Sequence, residues 1–154
     1  MNVKDILTPG AVKVVGHLTS KKRILQELAD LAGTAHGFSA AACFDALQDR
    51  ESLGPTGVGH GVALPHARID GTDKVVGAFL RLEKPVDFDS VDRQPVDLVF
   101  ALFAPENSGV DHLKALALVS RTLRDNAICS KLRANDDPST LYAVLTEERP
   151  SKAA

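Results

Sequence analysis

The sequence predicts an α/β protein, a sheet covered by helices on both faces. Segments with helical periodicity lie on both sides of two runs rich in Val, Leu and Phe, KVVGAFLRLEKPVDF and PVDLVFALFAP. The second run is apolar almost throughout and bounded by prolines, the pattern of a strand buried on both faces. Of the 154 residues, 44% are hydrophobic and 25% charged, an ordinary globular composition. A chain of this length buries roughly two thirds of its unfolded surface as one domain. We expect that domain to span residues 3–147, with 148–154 as a polar, frayed tail.

In chain order, the β-branched run Val12 to Val15 reads as the first strand. Thr19 or Ser20 then caps a helix in which Ile24, Leu25, Leu28, Leu31 and Ala32 recur at helical spacing until Gly33. Its first turn carries Lys21, Lys22 and Arg23, the wrong sign for the helix dipole. We read these as a solvated basic face, with a docking patch for an acidic partner as the alternative. A second helix starts near Ser39 and buries Ala40, Cys43, Phe44 and Leu47, ending between Arg50 and Gly54. Residues 62–64 read as a short strand. Pro65 holds Leu64 extended and removes a ladder donor, so the chain is expected to leave the sheet there and present His66 at a strand end. After the two long strands, a third helix from Ser108 is expected to bury Leu113, Leu116, Ala117, Ser120 and Leu123. Short helices near 127–132 and 138–145 complete the fold, Pro138 suiting a first helical position.

A formal charge of −2 and a pI near 6.2 give no bulk attraction to nucleic acid. No apolar stretch reaches the length of a membrane span, and the N-terminus lacks a signal-peptide pattern. Cys43 and Cys129 sit in apolar patterns and read as small core residues rather than a disulfide. A cytoplasmic location is expected.

The segment GPTGVGHGVALPHARID concentrates the candidate chemistry. Gly57, Gly59 and Gly61 do not complete a dinucleotide fingerprint, and no Gly-Lys-Ser/Thr follows for a nucleotide loop. Glycines without those partners are equally consistent with a plain turn and with close approach to a ligand. His66, directly after the proline, stands where ligand sites lie in α/β sheets. A metal shared by His60, His66 and His112 is disfavoured. The first two would be roughly 20 Å apart in an extended chain, and no ligand spacing supports it. Hydrolysis through a serine elbow is excluded by the missing G-x-S-x-G. A third option is nucleophilic catalysis by histidine itself, with Arg50 and Arg68 flanking the stretch as positive charge for a transferring phosphoryl group; a structural role for His66 is the even alternative. By pattern alone His112 reads as an exposed first-turn residue, beside backbone N–H groups that attract anions.

The motif LGPTGVGHGVALPHARID resembles the loop of the fructose/mannitol-type enzyme IIA domains of the bacterial phosphoenolpyruvate phosphotransferase system, most of all their nitrogen-regulatory branch. The similarity continues through ILTPGAVKVVGHLTSKKRILQELA, FDALQDRE, KPVDFDSVDRQPVDLVFALFAPE, HLKALALVSRTLRD and LRANDDPSTLY. It implies a mixed, mostly five-stranded sheet between helices, and phosphorylation of His66 on Nε2 by an HPr-type histidine phosphocarrier. It also implies that His112 and Arg50 belong to the active site, with Thr56, Gly57, Gly59, His60, Gly61 and Arg68 forming the phosphate loop around them. No metal or cofactor is implied. Potassium transporters and sensor kinases are partners of some relatives. The alternatives are a sugar-specific enzyme IIA serving a permease, and a binding module that is not phosphorylated. The chain departs from the family at His60, Pro55 and Ala67, where Asn, Ser and Gly are frequent. A charged His60 near His66 would disfavour a second charge there. A neutral hydrogen-bonding replacement is the simpler expectation for His60. Ala67 requires a loop that avoids positive φ or tolerates strain.

Overall fold

The computed structural model describes residues 1–147; the expected frayed tail lies outside the described residues. The chain begins with α1 (Val3–Ile6), a 3-10 turn at Pro9–Ala11 and β1 (Val12–Val15). Two long helices follow, α2 (Lys21–His36) and α3 (Ala40–Leu53). Then come three short strands, β2 (Gly57–Gly59), β3 (Val62–Ala63) and β4 (His66–Ile69), and two long ones, β5 (Val76–Val86) and β6 (Val96–Pro105). Three helices close the chain: α4 (Val110–Leu123), α5 (Asn126–Arg133) and α6 (Pro138–Thr146).

The sheet is mixed, in the order β1-β5-β6-β3-β2 with β4 also on β6. β1 runs parallel to β5, β5 antiparallel to β6, and β3 and β4 parallel to β6. The chain does not leave the sheet at Pro65, contrary to the expectation from its missing donor. Ala63 pairs with Val99 and His66 with Leu102, so the register is the same on both sides of the break. The Pro65 carbonyl still accepts from Leu102 N–H at 2.9 Å. Proline removes one ladder bond without displacing the strand, and β3 and β4 act as one interrupted strand in a mostly five-stranded sheet.

β6 is buried along nearly its whole length, which requires cover on both faces. α2 and α3 pack on each other, on β5 and on β4. α1, α4, α5 and α6 form the other layer, touching β5, β6 and β1. The interior holds Phe79, Phe88, Phe100 and Phe103, with Ile24, Leu28, Leu47, Leu98, Leu102 and Leu132 also fully buried. Cys43 and Cys129 are free, buried thiols, and burial pushes Cys43 up to about 11.

The caps follow the sequence: Ser20 Oγ accepts from Arg23 N–H, and Ser39 Oγ from Ala42 N–H. α2 outruns the expected stop at Gly33 because the terminating conformation is at Gly37, with φ 77°, whose N–H donates back to the Gly33 carbonyl. His36 Nε2, 3.0 Å from the Gly77 carbonyl, fastens this last turn to β5. α4 corrects the expected face. Its buried residues are His112, Ala115, Val119, Thr122 and Leu123, while Leu113 is 67% exposed. The segment HLKALALV is apolar on more than one side, so leucine spacing could not fix the phase of the helix.

Candidate functional site

The segment that opened the question of ligand binding is a β-hairpin. Its turn is His60-Gly61, with φ of 57° and 78°, joining β2 to β3. Two consecutive positive φ values define a type I′ turn, for which Asn-Gly is the favoured pair. Histidine is among the few side chains enriched in that conformation. The chain's departure from asparagine at 60 is thus a turn substitution. The turn is held from two sides: His60 N–H donates to Asp92 Oδ2 at 2.9 Å, and the His60 carbonyl accepts from Arg133 Nη2 at 2.9 Å. Arg133 in turn clasps Asp97 through Nε and Nη2. Gly57 permits a close approach, since a Cβ there would stand 2.2 Å from Ser90 Oγ.

The hairpin delivers the chain to His66. Its Nδ1–H donates to the Leu64 carbonyl at 2.8 Å, and because a carbonyl only accepts, Nδ1 carries the proton. In the neutral ring Nε2 is then the atom with the free lone pair. Burial lowers the affinity of this ring for a second proton, the Leu64 bond and Glu51 raise it, and Arg50 lowers it; the net effect lowers its pKa from the ordinary 6.5. His66 is therefore neutral at pH 7.

His112, expected to be exposed, is 7% exposed and lies 5.5 Å from His66, ring centre to ring centre, in an edge-on arrangement. The third position of α4 turns it inward. Burial, then His66, then the Arg68 charge hold it below the ordinary imidazole value. Its Nε2 is buried without a hydrogen-bond partner among the described residues, an arrangement that costs about 1–3 kcal/mol where no ligand or water satisfies it.

Arg50 stands in the last turn of α3, where its Nη1 donates to the Gly54 carbonyl at 3.0 Å. Its charge reaches His66, and that of Arg68 reaches His112. The structure brings together His66, His112, Arg50 and Arg68, and it links Thr56 to them through the backbone. Gly57, Gly59, His60 and Gly61 instead build the hairpin. His60 acts on Asp92, whose carboxyl is held low mainly by the N–H groups of His60 and Gln94. Ala67 lies in β4 without positive φ. Among the described residues no group of three or more His, Cys, Asp or Glu is disposed to hold a metal ion, and no helix is long and apolar enough to cross a membrane.

Sequence reasoning missed two charged residues. Glu51, 8% exposed, takes both donors of Thr56 and pairs with Lys21 Nζ at 2.7 Å. Lys21 is no part of a solvated face: it lies over the Phe88 ring at 5.0 Å. The signal was present. Lys21 at a helix start and Glu51 at a helix end are both the wrong sign for their dipoles, and they satisfy each other.

The family described as "Phosphoenolpyruvate-dependent sugar phosphotransferase system, EIIA 2" matches residues 5–148. A nitrogen regulatory protein of Bradyrhizobium diazoefficiens is 49% identical over 145 residues, covering 94% of this chain and 95% of that protein. The nitrogen regulatory protein of Escherichia coli K12 is 41% identical over 148 residues, covering 96% and 91%. The crystal structure of the nitrogen regulatory protein IIA-Ntr from Neisseria meningitidis superposes with a TM-score of 0.85 at 36% identity, covering 94% of this chain and 99% of that one.

Proposed function

The chain belongs to the EIIA 2 family of the phosphoenolpyruvate-dependent sugar phosphotransferase system, and on that premise we propose that it is a nitrogen-type regulator that accepts a phosphoryl group on His66 Nε2 from an HPr-type histidine phosphocarrier. The observation that carries this is the bond from Nδ1–H to the Leu64 carbonyl, which leaves Nε2 as the nucleophile.

In the transfer the Nε2 lone pair forms the new P–N bond while the donor's P–N bond breaks in line. The donor ring, protonated on its other nitrogen, keeps that electron pair and leaves as neutral imidazole. His66 retains its Nδ1 proton against Leu64 and becomes a phosphorylated imidazolium. Charge is conserved, because one protonated phospho-ring replaces another. Arg50 and Arg68 supply positive charge, and His112 Nε2 offers a buried polar atom with unused bonding capacity for a phosphoryl oxygen.

Phosphorylation adds about 1.5–2 negative charges. They arrive between the end of α3 and the start of α4, where Leu53, Val110 and Leu113 are exposed. A face that carries Arg50, Arg68 and exposed apolar side chains before transfer, and gains an anion with it, suits partners that read the phosphorylation state. The test is incubation with phosphoenolpyruvate, enzyme I and HPr. The reading expects an acid-labile, base-stable phosphate that is lost in His66→Ala; undiminished labelling of that variant contradicts it.

A further inference from the structure

A line of polar contacts, joined through the backbone of Thr56 and Leu64, runs from α2 to the reactive ring. Lys21 Nζ pairs with Glu51 Oε2 at 2.7 Å. Glu51 accepts from Thr56 N–H at 2.8 Å and, through its other oxygen, from Thr56 Oγ1–H. With both donors pinned, Thr56 presents its carbonyl to Leu64 N–H at 2.9 Å. The Leu64 carbonyl in turn accepts from His66 Nδ1–H at 2.8 Å. Thr56 and Glu51 are both buried, so water does not compete for these bonds. Glu51 also follows Arg50 on α3, so one helix end carries both a cation facing the site and the anchor of the loop.

We propose that Glu51 is the positioning residue of the phosphoryl acceptor: by clamping Thr56, with Lys21 as its counter-charge, it fixes the Leu64 carbonyl that selects the Nδ1–H tautomer of His66. This deepens the reading of His66 as acceptor and rests on it for its kinetic consequence. The tautomer itself is a property of the unphosphorylated protein. A buried carboxylate of this kind is costly to desolvate and is retained only with full partners. Glu51 has three, the two donors of Thr56 and the Lys21 ammonium, and Thr56 leads on to His66. The line crosses the Cα atoms of Thr56 and Leu64, so it acts by fixing backbone positions, and releasing Thr56 frees the Leu64 carbonyl to move. The carboxylate further offsets the Arg50 charge at His66.

The test uses the full chain with Glu51→Gln and Thr56→Val. Glutamine keeps the shape but cannot accept from Thr56 with both atoms while facing Lys21, and valine removes only the hydroxyl donor. Long-range ¹H–¹⁵N spectra read the His66 tautomer directly, and labelling by phosphorylated HPr reads the rate. We expect E51Q to convert His66 from a single Nδ1–H form to a tautomer mixture and to slow labelling at least tenfold. T56V should change both in the same direction and less. A folded E51Q with pure Nδ1–H and labelling within twofold of wild type overturns the proposal. So does T56V indistinguishable from wild type in both readouts, should E51Q not fold. If wild type takes no label, the acceptor reading fails, while the tautomer spectra still decide the role of Glu51.

Discussion

Gly61→Ala measures how firmly the hairpin ahead of His66 is built. Gly61 has φ 78° as the second residue of the turn, and a left-handed backbone costs an L residue about 1–2 kcal/mol. The added Cβ would also stand 2.5 Å from Arg133 Nη2 and 2.9 Å from Asp97 Oδ1. The guanidinium end is movable in principle, but here it is bonded to Asp97 and to the His60 carbonyl, so withdrawing it gives up those contacts. A partly exposed pair of this type contributes about 1 kcal/mol. The two costs together come to about 2–3 kcal/mol, or a melting temperature lower by about 4–12 °C. Urea unfolding of the variant measures the sum. Repeating the substitution in an Arg133→Ala background separates the parts, because backbone strain and the approach to Asp97 then remain without the guanidinium, and the cost falls by about 1 kcal/mol. A Gly61→Ala protein within about 0.5 kcal/mol of wild type, the range of an inconsequential surface change, refutes the turn assignment. An equal cost in both backgrounds refutes the collision.

The Arg50 charge lowers the proton affinity of His66, so Arg50→Gln should move the His66 midpoint upward in an NMR titration; no movement, or a downward one, contradicts the geometry. His60→Asn should leave that midpoint unchanged, since His60 faces Asp92, and a shift would show the two rings coupled. Both His66 and His112 are held below 6.5 in the fold, so on acidification the unfolded chain takes protons first. Their contribution is intact above about pH 6.5 and is lost as pH falls toward the native values. The urea midpoint should fall between about pH 7 and 5, with a shallower slope in His112→Gln; an equal slope excludes His112 as a source.

Much of the fold was legible because single residues decide it. Ser20 and Ser39 cap α2 and α3, and the apolar run of β6 admits only a strand covered on both faces. His66 was legible as a candidate from its proline, and as the acceptor from the family resemblance. The phase of α4 was not, because its leucines offer two apolar faces and only tertiary packing chooses His112, Ala115 and Val119. Pro65 was read as an exit, since a missing donor says nothing about whether its carbonyl keeps the register. The Lys21–Glu51 pair escaped because the two charges lie on different helices, and each alone resembles an ordinary solvated side chain.

The central claim is that a fixed Nδ1–H leaves Nε2 of His66 to take the phosphoryl group. Heteronuclear ³¹P and ¹⁵N NMR of the uniformly ¹⁵N-labelled, phosphorylated protein tests it most directly. The account predicts phosphorus–nitrogen coupling to Nε2 of His66 alone. Coupling to Nδ1, or to any ring nitrogen of His112 or His60, would contradict it.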